Sequence, residues 1–363
     1  VDKWGKETEK SGYSERWNSD NAYDRGINAG KDLKFINSSR SYNKDMNDWT
    51  GSEDVYPEIL QKNLVDGYPV LTQENGGQSL KYLFDPKTKT EYRDDHIGVN
   101  YLFTKDENGY FSFDSDENYA YLQSNNNFKV YSKSAGEVVQ GKKTQDWGAF
   151  YPFDDLGDVE NRNWVEVGGG GYGLDAGLAN HYFGMVMSAS FYQPKGGKIN
   201  GEDMIFEFSG DDDAWVFIDD ELVLDLGGIH TAASGSINFA TGEVKVNGET
   251  VTNSFYGDDG RFEDYSTHTI KFFYLERGNS ASNCKLKFNL PTIPENSVMV
   301  TKELKTESGA EANYTEGITF DFNIQKKNDE NKDYEYEVYE NNQIIKTAQT
   351  ENGGNFTLEP GQS

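Results

Sequence analysis

The clearest pattern of hydrophobic and polar residues lies between residues 204 and 226. Apolar side chains occupy alternate positions from Met204 to Phe208, and Ala214 to Ile218 is an uninterrupted apolar run. These patterns predict two β-strands with much apolar surface, and the carboxylates Asp211–Asp213 lie at the turn between them. A second acidic turn, Asp219–Glu221, leads into a strand with alternating leucines. The segment therefore predicts a β-hairpin with acidic residues at one end.

The rest of the chain consists of short aromatic segments separated by polar stretches rich in Asn, Asp, Ser and Gly, and sustained helical periodicity is scarce. Asn-Gly pairs at residues 108–109 and 247–248 each separate two strand-like segments, which predicts two further hairpins. The exception is residues 56–64, where apolar residues including Ile59 and Leu60 would share one face of a helix. We therefore predict an all-β protein with long loops and one short helix.

A domain boundary is indicated at residues 291–297, where two prolines end the last strand of a large domain, 1–290, and stiffen the connection. A small domain, 298–363, follows. Alternation at its start places Lys302 in an apolar layer with every second residue from 298 to 304. Burial of an unpaired ammonium is costly and favours the neutral amine, so this lysine needs a partner or a covalent bond. The alternative is a surface lysine whose apolar stem alone is buried.

Composition limits the classes of binding partner and the cellular compartment that the protein can have. The 363 residues carry a formal net charge of −28, which argues against nucleic-acid phosphates and anionic membranes as partners. No apolar run approaches the length of a membrane span, so we expect no membrane insertion, and the first residues lack the apolar core of a signal peptide. The single cysteine, Cys284, rules out an intrachain disulfide. We interpret the chain as a mature or excised piece of an extracellular protein.

The run Asp211–Asp213 is the strongest candidate for a metal site. One or two aspartates are ordinary in turns, because their side chains bond local amides. Three in a row repel one another, and Ca²⁺ relieves the repulsion by taking about six to eight oxygen ligands. The four histidines are scattered and give no zinc spacing. The turn therefore favours a hard cation.

The residues give little support to an enzyme. Among 62 Asp and Glu side chains, a pair of glycosidase carboxylates can be nominated anywhere, so such a pair is uninformative. Spacing assembles no Ser-His-Asp constellation, and Cys284 lies in a polar loop edge rather than at a helix N-terminus. We expect no catalytic turnover.

The large domain resembles a known family in three segments. Gly210-Asp-Asp-Asp-Ala-Trp-Val-Phe-Ile-Asp219 and Asp225-Leu-Gly-Gly-Ile-His230 are similar to the core hairpin of the PA14 superfamily, in its fibro-slime branch. The segment from His268 to Asn283 resembles the closing strands and the second loop of that branch. The likeness is strongest over residues 180–290. It implies a PA14-like β-sandwich with long N-terminal elaborations, in which residues 1–150 wrap onto the sandwich.

The same resemblance implies the chemistry of the acidic turn. In PA14-type lectins the first two acids of this turn, joined by a cis peptide bond, hold calcium, and the matching residues are Asp211 and Asp212. The second loop completes the site, and here it offers the amide oxygens of Asn279 and Asn283. Calcium with open positions coordinates neighbouring hydroxyls of a sugar, and an aromatic wall such as Trp164 or Tyr172 would stack on the sugar ring.

The small domain resembles the Cna B-type immunoglobulin-like repeat of Gram-positive surface proteins and pilins. The resemblance rests on Lys302 and on strand-like segments at residues 318–324, 334–339 and 355–358. In that family a neutral lysine amine attacks an Asn side chain and forms an intramolecular isopeptide bond. Lys302 matches the lysine, and the acceptor would fall after residue 363.

The two resemblances together imply a cell-surface or pilus adhesin of a Gram-positive bacterium, anchored outside the cell. Its partner would be a carbohydrate, either a host glycan or a polysaccharide, bound through Ca²⁺ at Asp211 and Asp212. The alternative is a structural pilin or cell-wall spacer, in which calcium only stabilises the fold. A calcium-dependent ligand distinguishes the first from calcium-dependent stability alone.

Overall fold

The protein is nearly all β, as predicted. The computed structural model describes residues 2–4, 53–88, 93–132, 138–139, 142–145, 150–153, 164–167, 171–174, 183–252, 260–277, 282–293, 298–300, 307, 317–325, 332–340, 343–360 and 362. In this part of the chain no helix is both long and apolar enough to pass through a membrane. The α-helix described, α1 (Lys81–Phe84), is a single turn, and a 3₁₀ turn covers Lys195–Gly197.

Two seven-stranded antiparallel sheets form the sandwich, with strands numbered in chain order. The first sheet contains, in spatial order, β16 (Glu221–Leu226), β15 (Asp213–Ile218), β20 (Thr267–Glu276), β11 (Phe183–Tyr192), β1 (Asp2–Trp4) and β2 (Arg93–Asp95), and β22 (Thr292–Ile293) also pairs with β11. The second sheet contains β19 (Glu249–Thr252), β18 (Glu243–Val246), β17 (Ala233–Asn238), β14 (Ile205–Gly210), β21 (Cys284–Phe288), β4 (Phe111–Asp114) and β3 (Thr104–Lys105).

Smaller sheets account for the remaining described strands. They are β5 (Asn118–Leu122) with β6 (Phe128–Ser132); β7 (Val138–Val139), β8 (Lys142–Gln145), β10 (Gly171–Leu174) and β9 (Trp164–Val167) in that order; β12 (Lys198–Ile199) with β13 (Glu202–Asp203); β23 (Phe320–Asn323) with β26 (Asn355–Leu358); and β24 (Glu335–Glu340) with β25 (Gln343–Gln349).

The core between the two large sheets is aromatic. Phe206 and Phe208 alternate along β14 and meet Phe272 and Tyr274 of β20, with ring centroids 5.3 to 5.7 Å apart for the contacts of Phe206 and Phe208 with Phe272 and of Phe208 with Tyr274. All four rings are at most 2% exposed. Because side chains alternate across a strand, Glu207 between the two phenylalanines of β14 faces outward, whereas Phe273 of β20 is buried on the other face of its sheet.

The acidic run Asp211–Asp213 lies where the chain passes from one sheet to the other. Strand β14 pairs with β17 and β21 in the second sheet, whereas β15 pairs with β16 and β20 in the first. The predicted hairpin is therefore β15–β16, closed by Asp219 and Asp220, which both have positive φ values (50° and 65°). The two Asn-Gly hairpins are also confirmed, as β3–β4 and β18–β19.

The helix predicted at residues 56–64 is wrong, because this segment is extended along the edge of the first sheet. The Tyr56 amide donates to the Gly227 carbonyl at 2.6 Å, and Asn63 forms a bridge with Glu221. Ile59 is completely buried. The unpaired edge of β16 supplies hydrogen-bond partners that an isolated short helix would have to provide itself, so tertiary pairing overrides the weak helical pattern.

The outer face of the first sheet is covered by the N-terminal part of the chain. Phe84 of α1 packs edge-on against Phe273 of β20, with ring centroids 4.9 Å apart, and Phe273 in turn contacts Phe217. Trp215 on the same face is fully buried. Strands β1 to β4 extend the two sheets, so the described part of the N-terminal 150 residues wraps onto the sandwich.

The segment after the large sandwich begins later than the prolines indicate. Thr292 and Ile293, inside the predicted linker, pair with Phe191 and Ser190 of β11 and still belong to the first sheet. Residues 298–300 form no strand in the structure, and Val298 is 79% exposed, so the described start of the predicted apolar layer is open to solvent. Lys302 lies outside the described residues.

Candidate calcium site

The three aspartates of the crossover are withdrawn from solvent. Asp211 is 6% exposed, Asp212 is 2% exposed and Asp213 is fully buried. The peptide bond between Asp211 and Asp212 is cis. The carboxyl end of β20, at Glu276 and Arg277, and the residues just before β21 lie against them, so the turn is enclosed by three strand ends.

Asp213 forms a buried ion pair and does not face a ligand. Its Oδ2 lies 2.6 Å from Nε of Arg277, and both side chains have no exposed surface. Its Oδ1 accepts a hydrogen bond from the Gly228 amide at 2.7 Å. Charge-assisted bonds of this kind fix both partners, so Asp213 holds the turn to the end of β20 and to the segment after β16.

Asp211 and Asp212 are held by backbone amides. The Asn283 amide donates to Oδ1 of Asp211 at 2.8 Å, and the Arg277 amide donates to Oδ2 of Asp212 at 2.9 Å. A longer bond, 3.3 Å, runs from the His230 amide to Oδ1 of Asp212. The structure thus brings Asn283 next to Asp211, as the resemblance implied, although the described contact is through its backbone rather than its amide oxygen.

Burial dominates the electrostatics of the turn. It raises the pKa of Asp211 to about 7 and, together with the charge of Asp211, holds the pKa of Asp212 well above its ordinary range. Burial also raises the pKa of Asp213, and the charge of Arg277 opposes this effect. Arg277 is the only buried Lys or Arg side chain in the described part of the chain. Its charge also lowers the pKa of Asp212, but burial and the charge of Asp211 outweigh that effect.

Two further residues of the resemblance segments have structural roles. The His230 ring contacts backbone carbonyls, with Nδ1 2.8 Å from the Thr231 oxygen and Nε2 3.2 Å from the Leu226 oxygen. Asp225 Oδ1 accepts a hydrogen bond from Trp215 Nε1 at 3.0 Å. Burial raises the pKa of Asp225 to about 6 against three N–H donors that lower it.

Several residues predicted for the site are not described. Asn279 lies outside the described residues, as do the side chains of Trp164 and Tyr172. Their backbones belong to β9 and β10, which pair with each other, and the described pairings of that sheet do not join it to the sandwich. The structure therefore brings together Asp211, Asp212 and Asn283 of the predicted set.

The donor types at the turn fit calcium. All of them are hard oxygens, which calcium prefers, and the described ion pair of Arg277 is with Asp213. No group of three or more His, Cys, Asp or Glu side chains within metal-binding reach occurs among the described residues. Beyond Asp211 and Asp212, the ligands would therefore be carbonyl or amide oxygens, water or a bound hydroxyl compound. Calcium held there would neutralise the pair and attract further oxygen ligands.

The raised pKa values of Asp211 and Asp212 predict an inverted pH dependence for the calcium-free protein. An acid whose folded-state pKa exceeds its unfolded value binds its proton first in the folded state, so these groups make the protein more stable as pH falls from about 7 to about 4. Calcium competes with those protons. The rise in melting temperature that calcium causes should therefore grow between about pH 5 and about pH 8. Thermal melts with calcium and with chelator across this range measure it, and a shift independent of pH would contradict it.

Comparison with known proteins gives relatives over part of the chain. No family model matches it, and no solved structure matches it. Protein psiF of Dictyostelium discoideum is 34% identical over 150 residues, 39% of this chain and 18% of its own length. Protein psiO of the same organism is 29% identical over 214 residues, 58% of the chain and 23% of its own length, and protein psiD is 44% identical over 85 residues. The chain thus spans less than a quarter of the length of these curated relatives.

Proposed function

We propose that this protein is an extracellular adhesin whose PA14-like sandwich binds carbohydrate through calcium at Asp211 and Asp212. The observation that supports the proposal is the burial of these two carboxylates next to each other. They lie side by side in a buried turn, burial raises both pKa values, and the nearby Arg277 is committed to Asp213. A divalent cation removes this electrostatic cost, whereas a structural turn without a ligand keeps it.

The binding chemistry follows from the coordination habits of calcium. Two carboxylates satisfy only part of its shell, and adjacent hydroxyls of a sugar replace water in the remaining positions. Asp211 is 6% exposed and the described hydrogen bonds from other residues reach only its Oδ1, which leaves Oδ2 available as a calcium ligand. The ligand class that fits is a neutral carbohydrate, because the chain's strong negative charge disfavours polyanions.

A second candidate function is structural, and the depth of the site favours it. Asp212 is 2% exposed, and both of its oxygens already accept backbone amides. Calcium bound mainly through Asp212 would brace the crossover between the sheets without reaching a sugar. The protein would then be a pilin or cell-wall spacer, with calcium acting on stability alone.

The proposed setting is the cell wall or pilus of a Gram-positive bacterium, with the small domain as a Cna B-like stalk. Support comes from its strands, since β23, β24 and β26 lie where the strand-like segments of the sequence predict them. An isopeptide bond from Lys302 would resist pulling without a disulfide. Intact-mass analysis of a longer chain tests it, because the bond releases ammonia and lowers the mass by about 17 Da.

Carbohydrate binding is tested with a glycan array on the full chain, run in calcium, in magnesium and in chelator. We expect binding to one class of glycans in calcium only, since magnesium demands a smaller octahedral shell. Melting temperatures are measured in the same three buffers. Calcium-dependent melting without any glycan signal would favour the structural metal, and an unchanged melting temperature would refute the calcium site.

A further inference from the structure

A hydrogen-bonded row of Ser266, His268 and Asp219 lies at the opposite end of β15 from the calcium site. Ser266 Oγ is 2.6 Å from His268 Nε2, and His268 Nδ1 is 2.6 Å from Asp219 Oδ2. Asp219 follows β15 and Asp213 begins it, so the row is about 20 Å from the acidic turn at the rise of a strand. The calcium site does not use this arrangement.

Each member of the row is fixed by other contacts. Oδ1 of Asp219 accepts the Thr269 amide at 2.8 Å, and the Asp219 amide donates to the Thr269 carbonyl at 2.9 Å. The His268 ring stacks on Phe262 with centroids 3.5 Å apart and is 7% exposed. Ser266 sits in the half-exposed turn that precedes β20. A base held by a carboxylate and an accessible hydroxyl at the base is the signature of an activated nucleophile.

The order of contacts sets the tautomer of the histidine. Because Asp219 is an acceptor, Nδ1 carries the proton, and the lone pair of Nε2 faces the serine oxygen. The serine proton has two acceptors within reach, Nε2 and the Glu263 carbonyl, and both lie 2.6 Å from Oγ. The hydroxyl therefore needs no large movement to give its proton to the histidine.

We propose that Ser266, His268 and Asp219 form a nucleophilic site that cleaves short, uncharged acyl esters. Ser266 Oγ bonds to the acyl carbon, its proton passes to His268 Nε2, and the alcohol leaves with that proton. Water then attacks the acyl-serine, again losing a proton to Nε2, and releases the carboxylic acid. The substrate is uncharged because acidic residues, Glu263 and Asp264, precede the serine and Asp219 ends the row, and Arg261 is paired with Asp264 at 2.7 Å.

The expected turnover is slow. The geometry assigns a nucleophile, a base and an orienting carboxylate, and it assigns no donor to the oxyanion among the described residues. One such donor is worth about 100- to 1,000-fold in rate. Covalent capture is therefore a sharper readout than hydrolysis, because a phosphonylated serine accumulates even when turnover is slow.

The test is labelling of the full chain with an uncharged alkyl fluorophosphonate. In the labelling reaction a bond forms between Ser266 Oγ and phosphorus, fluoride leaves, and the serine proton goes to His268 Nε2. Mass spectrometry is expected to find one adduct per chain, on Ser266, and none on Ser266→Ala. The matched control is Ser188→Ala on β11, an exposed serine that should leave labelling unchanged. Labelling of the native protein no faster than that of Ser266→Ala would overturn the proposal.

Asp219 acts through the histidine, so its variant needs a readout that packing does not affect. Asp219→Asn suits the turn, because Asn tolerates the positive φ of this position. We expect it to slow labelling at least about 100-fold and to move the midpoint of the pH–rate profile to lower pH, since the imidazolium loses its carboxylate. An unchanged midpoint would show that Asp219 has only a structural role and would overturn the triad.

Discussion

Replacing Arg277 by methionine is expected to lower the free energy of unfolding by about 3–5 kcal/mol. The guanidinium and the Asp213 carboxylate form a pair with no exposed surface, joined at 2.6 Å. The variant keeps most of the side-chain volume but leaves Asp213 buried without its countercharge. Denaturant unfolding at a fixed calcium concentration measures the loss, which should far exceed that of an ordinary surface change.

The matched control for Arg277 is Arg261→Met. Arg261 pairs with Asp264 at 2.7 Å, but both side chains are about one-third exposed, so its loss should cost at most about 1 kcal/mol. The double variant Asp213→Leu with Arg277→Met removes both charges and should recover much of the stability that Arg277→Met loses. If the two arginine variants lose the same free energy of unfolding, Arg277 does not stabilise the buried Asp213 carboxylate.

Local signals in the sequence predicted much of the sandwich. Hairpins at residues 108–109, 219–220 and 247–248 follow from residues that accept positive φ between two apolar runs, and each lies where it was predicted. These turns depend on neighbours in the chain alone. For the same reason three of the four strands described after residue 317, β23, β24 and β26, were found from their own alternation, whereas β25 was not predicted.

Pairings between distant segments could not be predicted in the same way. Whether β14 and β15 form one hairpin or belong to two sheets depends on which partners they meet, and both outcomes have the same apolar pattern. The extended segment at residues 56–64 was misassigned for this reason, since the edge of β16 that it covers lies about 160 residues further along the chain.

The sites show the same limit. Asp213 and Arg277 are 64 residues apart, and Asp219 and His268 are 49 apart. Their contacts arise from the register of β15 against β20, in which Asp213 lies opposite Leu275 and Ile218 opposite Ile270. The spacing of residues along the sequence therefore could not predict the row of Ser266, His268 and Asp219. The position of Asn283 beside Asp211 was anticipated only through the family resemblance, because the two residues are 72 apart in the chain.

Changing Asp211 and Asp212 to Asn, singly, is expected to weaken calcium binding by at least about 100-fold, because affinity follows the number of charged ligands. Calcium at about 100 times its dissociation constant stabilises the native state by about 2.7 kcal/mol, and the variants should lose most of this. In chelator, where no calcium is bound, we expect the order of stability of variant and native protein to reverse. Asp212→Asn removes a charge whose burial is costly, so the calcium-free variant should be at least as stable as the calcium-free native protein. Calorimetric titration and paired melts measure both effects.

The control for these variants is Asp225→Asn, which changes a carboxylate that the structure commits to N–H donors outside the turn. It should lower stability equally with and without calcium and leave calcium affinity unchanged. If Asp211→Asn and Asp212→Asn instead melt lower than the native protein in chelator and bind calcium normally, the turn is a hydrogen-bonded structural element. If the variants lose calcium binding and glycan binding together, the metal lies between protein and sugar. If the native protein binds no glycan and the variants lose only calcium, the metal has a structural role between the two sheets.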